Sequence, residues 1–190
     1  MDRPHGYVRC PVPPSSLRED GAIVIPLTHG FVAIVDPIDG DLAELKWMAK
    51  RQGGKPVYAV RMDRTHHPEM LHRVILTRTL GRQIKPHPEE WCDHGNGDSL
   101  DNRRSNLRLA TSTQNAHNRA KLRNHPTTSQ YKGVYWDAAV AKWRVSITHE
   151  GRRRHIGRFA DEVAAAIAYD DAAARLYASF ARLNFPARVA

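Results

Sequence analysis

The stretch Asp93-His94-Gly95-Asn96-Gly97-Asp98-Ser99-Leu100-Asp101-Asn102-Arg103-Arg104-Ser105-Asn106-Leu107-Arg108, followed by Gln114-Asn115, decides the reading of this chain. Its order is the end of a strand, a loop dominated by Asn, Asp, Gly and Arg, a short strand over 106–110, and a helix. Thr111 or Ser112 supplies the helix cap, and about three turns are expected before Asn124-His125-Pro126. A unit of this kind can bring short polar side chains from two strands and a helix toward one ion and one phosphate.

Cutting a phosphodiester requires a nucleophilic water, a base to deprotonate it and a cation to offset charge on the phosphate and the leaving oxygen. A neutral histidine is suited to the base role near neutral pH. A carboxylate beside it can hold a hard cation, a side-chain amide can add a neutral oxygen ligand, and a second amide can fix the imidazole tautomer. The Asp-His, Asn-Leu-Arg and Gln-Asn elements, at these distances, resemble the ββα-metal core of phage-type HNH homing endonucleases. The stretches Gly30-Phe31-Val32-Ala33-Ile34-Val35-Asp36 and Leu71-His72-Arg73 are similar to the N-terminal region of that family. The resemblance implies that Asp93 and Asn115 bind magnesium or manganese, that His94 is the general base, and that Asn106 orients His94. It also implies 5′-phosphate and 3′-hydroxyl products. The family passes directly from a strand such as 71–76 to its Asp-His pair, whereas this chain has a longer polar insertion over 79–90.

Other polar residues are read more plainly. Asn102 is assigned to a turn, and His66-His67 to a loop. His72 alternates with apolar neighbours on an expected strand, as a satisfied, semi-buried histidine. His117 and Asn118 face either phosphate or solvent.

Residues 130–186 carry a second pattern: Tyr131-Lys132-Gly133-Val134, Lys142-Trp143, His155-Ile156-Gly157-Arg158-Phe159, Ala165-Ala166-Ile167-Ala168-Tyr169-Asp170 and Leu183-Asn184-Phe185-Pro186. Strands are expected over 131–136, 141–149 and 153–159, then one alanine-rich helix over 161–179. Trp143, Val145 and Ile147 alternate with Arg144, Ser146 and Thr148, which puts Trp143 in the core. The segment resembles the Apetala-2-like (ethylene-response-factor) DNA-binding domain, which lays a three-stranded sheet in the major groove and backs it with the helix. Lys132, Lys142, Arg144, Arg152, Arg153, Arg154 and Arg158 fall on the strands and their turns, so the sheet is the expected basic face. Tyr135, Asp137 and Thr148 stand near places where plant members carry arginine, and Lys132 replaces another, so no target sequence carries over.

The bulk properties agree. The 190 residues are 41% hydrophobic and carry a net charge of +9, as expected of a folded protein that meets a polyanion. The two cysteines are too few for a four-thiolate zinc site and are read as reduced. No apolar run approaches a membrane span, and the N-terminus has no signal-peptide core. The expectation is an α+β protein: a flexible lead over 1–20, an HNH nuclease domain over 21–124 with its core at 91–122, a linker over 125–129 and a DNA-binding domain over 130–186. In the nuclease domain a β-rich region precedes the ββα-metal core. That region has strands over 22–27, 30–35, 57–62 and 71–76, and Asp41 caps a helix through Lys50. The expected activity is metal-dependent nicking of double-stranded DNA inside a cell, by a monomer or weak dimer without a small-molecule cofactor. The basic segment 119–123 would track the DNA backbone. The alternative is a DNA-binding regulator with an inactive HNH unit.

Overall fold

A computed structural model describes residues 16–52, 55–121 and 127–186. The lead up to residue 15 and linker residues 125 and 126 lie outside the described residues. Packing divides the chain into one unit up to Leu109 and another from Ala110.

The first unit begins with β1 (Ser16–Leu17), β2 (Ile23–Pro26) and β3 (Val32–Val35), an antiparallel sheet in that order. Ala33 and Val35 are fully buried while Val32 is exposed, the two-residue period of a strand with one face on a core. The turn between β2 and β3 places His29 and Gly30 at φ of 61° and 74°, the left-handed region. The expected helix through Lys50 does not form. Residues Pro37–Glu44 make tight 3-10 turns, and the Trp47 indole donates to the Leu42 carbonyl at 2.8 Å, folding two buried side chains together. The chain then enters β4 (Met48–Gln52), which pairs with β5 (Lys55–Met62), and β5 with β6 (Pro68–Met70).

The expected strand over 71–76 is instead α1 (Leu71–Leu80). Its buried residues are Leu71, His72, Ile75 and Leu76, a helical period rather than an alternating one. Gly81 ends it at φ 65°. The insertion that follows is ordered by its own charges. The Arg82 guanidinium forks onto both Glu90 oxygens at 3.0 and 2.8 Å, and Glu90 accepts from the Lys85 N–H. Arg73 donates to the Ile84 and Lys85 carbonyls, so the insertion is tied to α1. It delivers the chain to β7 (Trp91–His94), which pairs with β8 (Leu107–Ala110).

The second unit opens with α2 (Ser112–His117), whose Thr111 and Gln114 form a reciprocal capping box. This helix is six residues long, shorter than the three turns expected. Strands β9 (Val134–Asp137), β10 (Lys142–His149) and β11 (Arg152–Phe159) make an antiparallel sheet in the order β11-β10-β9. Helix α3 (Glu162–Tyr177), capped by Asp161, lies on it through buried Ala165, Ala166, Ala172 and Ala173. Trp143 packs against this core, as its alternation predicts. The buried Asp170 carboxylate accepts from the Asn184 and Phe185 N–H groups, and Asn184 accepts from the Lys132 N–H, so the last described segment is fastened to the start of the sheet.

Gly133 has φ 77°, and a Cβ there would overlap the buried Tyr169 ring. Gly133→Ala is expected to destabilise the second unit by about 3 kcal/mol, read from denaturant unfolding.

Candidate active site

Asp93 and His94 end β7 and are nearly enclosed, with 5% and 7% of their surface exposed. The loop beyond them is polar, yet Ser99, Asp101 and Asn102 within it are buried, which is possible only because their polar groups are matched. Its backbone is bridged to β3: Ile34 N–H donates to the Leu100 carbonyl at 2.8 Å, and Asn102 N–H donates to the Ile34 carbonyl at 2.7 Å. Ser99 donates to the Val57 carbonyl. Asp98 and Asn96 each accept an N–H two residues ahead, forming successive Asx turns. Asp101 is held below its ordinary pKa by the Arg103 guanidinium, which forks onto it at 2.8 and 2.7 Å.

The far side of the loop is anchored by Arg104. Its guanidinium meets the two oxygens of fully buried Asp39 at 2.7 and 2.9 Å, while its N–H donates to Asp36. These two aspartates lie in the turn after β3, and their part in the site was not foreseen from the sequence.

The His94 imidazole is enclosed by Tyr58, His72 and Asn102. The His72 ring stands edge-on at 5.1 Å between centroids, and Tyr58 lies 6.3 Å away. His94 Nε2 is 3.5 Å from Asn102 Oδ1, at the outer limit of a hydrogen bond. An amide oxygen only accepts, so this contact fits the tautomer with the proton on Nε2 and the lone pair on Nδ1. Burial lowers the His94 pKa, partly offset by Asn102 and the neighbouring aspartates, and the imidazole is neutral near pH 7. Burial takes His72 further, down to about 3. Cys92 is pushed up to about 12 by burial, which makes it an inert thiol.

Asn106 does not take the place expected for it. Its Nδ2 donates to the Asp101 carbonyl at 2.7 Å and its Oδ1 accepts from the Asn96 N–H at 2.9 Å, so both ends of the amide brace the loop. Asn102, expected only to make a turn, is the amide within reach of the imidazole. Asp93 Oδ2 accepts from Arg108 Nε and Nη2 at 2.9 and 2.7 Å. Arg108 lies in the Asn-Leu-Arg element, and only its place on β8, the strand paired with β7, explains its presence there.

No group of three His, Cys, Asp or Glu side chains suited to a metal occurs among the described residues. Asp93 offers one hard carboxylate. Magnesium-type ions are commonly held by one or two carboxylates, with water and substrate phosphates filling the other positions, so the donor chemistry fits such an ion. Asn115, half-buried on α2, belongs by packing to the second unit.

The second unit sorts the expected DNA-contacting residues by strand register. Arg144 pairs with Tyr135 and Arg158, Lys142 with Asp137, and Thr148 with Arg153, so these side chains share one face. Arg153 donates from Nε to Ser146 Oγ at 2.8 Å and lies over the Tyr135 ring at 4.8 Å, with Arg144 over the same ring at 5.7 Å. Arg158 meets Asp137 at 3.1 Å. Arg152 and Arg154 pair with His149 and Ile147, and so share a face with core residues Val145 and Ile147 instead. Strand alternation therefore splits the Arg152-Arg153-Arg154 run between the two faces. Lys132 is also placed differently. Its ammonium donates to the His117 and Arg119 carbonyls at the end of α2, and burial lowers its pKa to about 8.

The HNH endonuclease family matches residues 69–117, which run from β6 through α2 and include the Asp93-His94 loop. An uncharacterized HNH endonuclease, L560 of Acanthamoeba polyphaga mimivirus, is 31% identical over 143 residues, covering 75% of this chain and 68% of that one. The chain belongs to the HNH endonuclease family. This HNH endonuclease is also 39% identical over 66 residues to the dehydration-responsive element-binding protein 2E of Arabidopsis thaliana, covering 30% of the chain and 27% of the plant protein. It therefore spans about a quarter of that relative's length. No solved structure matches it. No described helix is long and apolar enough to cross a membrane.

Because Asp39 is wholly buried and holds Arg104, Asp39→Ala is expected to cost about 3 kcal/mol of stability, and Asp39→Asn less, measured by chemical denaturation.

Proposed function

We propose that this nuclease is a metal-dependent endonuclease of the homing type, which nicks duplex DNA and is held on it by an Apetala-2-like C-terminal sheet. The observation that carries the reading is His94: a buried imidazole, whose neutral form burial favours, beside a carboxylate in a chain of the HNH endonuclease family. His94 accepts the proton of the attacking water at Nδ1, while Asn102 holds the Nε2 proton. Asp93 would hold the divalent ion, a role that the family resemblance also gives Asn115. HNH nucleases generally use such an ion, here magnesium or manganese, which when bound supplies charge compensation for the phosphate and the leaving 3′-oxygen. Asn106 acts as a brace for the loop rather than as a partner of the imidazole. One cutting centre per chain severs one strand, so nicking is the expected mode.

The 66-residue match, 39% identical, to a plant protein named for binding a dehydration-responsive element supports the DNA-binding part. So does the physics of the open sheet face. The Arg144 and Arg153 guanidiniums both lie over the Tyr135 ring, which reduces the entropy lost when they engage a polyanion. Lys142 and Arg158 flank them, and Lys132, Arg152 and Arg154 take no part in this face.

Wild type is expected to convert supercoiled plasmid to relaxed circles before linear DNA with magnesium, and not with EDTA. His94→Ala and Asp93→Ala are expected to lower the single-turnover rate at least about 100-fold. Equal cutting by wild type and both variants would remove the enzyme assignment of this site. In binding titrations against salt, Arg153→Ala is expected to reduce the slope of log K on log salt by about 0.9, whereas Lys132→Met leaves the slope unchanged.

A further inference from the structure

Three aromatic rings meet at the base of the site, from three different elements. Tyr58 comes from β5, His72 from α1 and His94 from the end of β7. The His72 and Tyr58 centroids are 5.3 Å apart at 52°, and His72 meets His94 at 5.1 Å and 71°. His72 is itself 6% exposed, with Leu71, Ile75 and Leu76 beside it on α1 also buried. Among the described residues its ring meets the rings of Tyr58 and His94. The Cys92 thiol donates to the His72 carbonyl at 3.5 Å, which ties α1 to β7 one residue from Asp93.

His94 therefore sits between two different kinds of restraint. Asn102 meets one ring nitrogen, and His72 with Tyr58 forms an aromatic wall. Rotation of the His94 plane would need His72 to move, and His72 belongs to a helix whose neighbouring side chains are in the close-packed core. A general base must present its lone pair within hydrogen-bond reach of the water and along a fixed direction, and small misplacements cost rate steeply. We infer that His72 is a positioning residue of this nuclease, setting the orientation of the His94 imidazole through its edge-on ring contact. The inference rests on the proposed role of His94 as the base.

The test uses the full chain with His72→Leu and His72→Phe. Phenylalanine keeps a flat ring able to make an edge-on contact, whereas leucine keeps apolar volume without a ring. With magnesium and duplex DNA, His72→Leu is expected to lower the single-turnover cutting rate about 10- to 100-fold while DNA affinity stays at the wild-type level. His72→Phe restores most of that loss. NMR of histidine-labelled protein without DNA gives a readout independent of cutting. Wild type shows nuclear Overhauser contacts between the two imidazoles, and His94 ring signals shift and broaden in His72→Leu but not in His72→Phe. Cutting by His72→Leu at the wild-type rate overturns the inference. So does a folded His72→Phe that is as slow as His72→Leu, since the ring nitrogens would then be what matters. If wild type leaves DNA uncut while the His94 signals respond as expected, the ring contact stands and the nuclease reading of the site fails.

Discussion

The rest of the first unit depends on docking a polar loop against the edge of a hydrophobic sheet. The backbone of Ile34 both donates to Leu100 and accepts from Asn102, so the loop after His94 is joined to β3 by one parallel bridge at Asp101. Without those two bonds, a segment with two Asn, two Asp and two Arg between Asn96 and Arg104 would have no reason to leave water. Buried Asp39 supplies the matching charge for Arg104, and Asp36 accepts the Arg104 N–H. The site histidine is thus enclosed by a loop whose own polarity has been neutralised in place.

That enclosure sets the chemistry. Desolvation disfavours imidazolium, so His94 is neutral, and Asn102 favours one tautomer. The same enclosure keeps Asp93 close to Arg108, a cation held where a metal ion would compete for the carboxylate. Asparagines sort by reach rather than by motif order. Asn106 is consumed by Asp101 and Asn96, and Asn102 meets the ring. In the second unit, a bulge between Val145 and Ser146 and strict alternation elsewhere decide which arginines share a face with Tyr135.

Much of this was legible in the residues. The Asp-His, Asn-Leu-Arg and Gln-Asn spacing pointed to the HNH family, the capping signal at Thr111 formed, and the three strands and alanine-rich helix of the second unit lie close to where alternation and composition put them. Two first-unit elements were misread for a shared reason. Leu71–Leu80 mixes β-branched residues with a helical spacing of apolar ones, and residues after Asp41 mix a cap with a helix-like run; neither carries enough local preference to settle its state.

The sequence by itself determined the chemistry available: which acid, imidazole, amides and guanidiniums occur, at what spacing, and that alternation would divide the sheet into two faces. Only the tertiary structure decided which of them meet. His72 reaches His94 because α1 packs beside β5 and β7, Arg104 finds Asp39 across 65 positions, and Lys132 is drawn to the last carbonyls of α2. These pairings arise from closing a core around polar groups that must each find a partner, and contacts so distant along the chain leave no local trace in it.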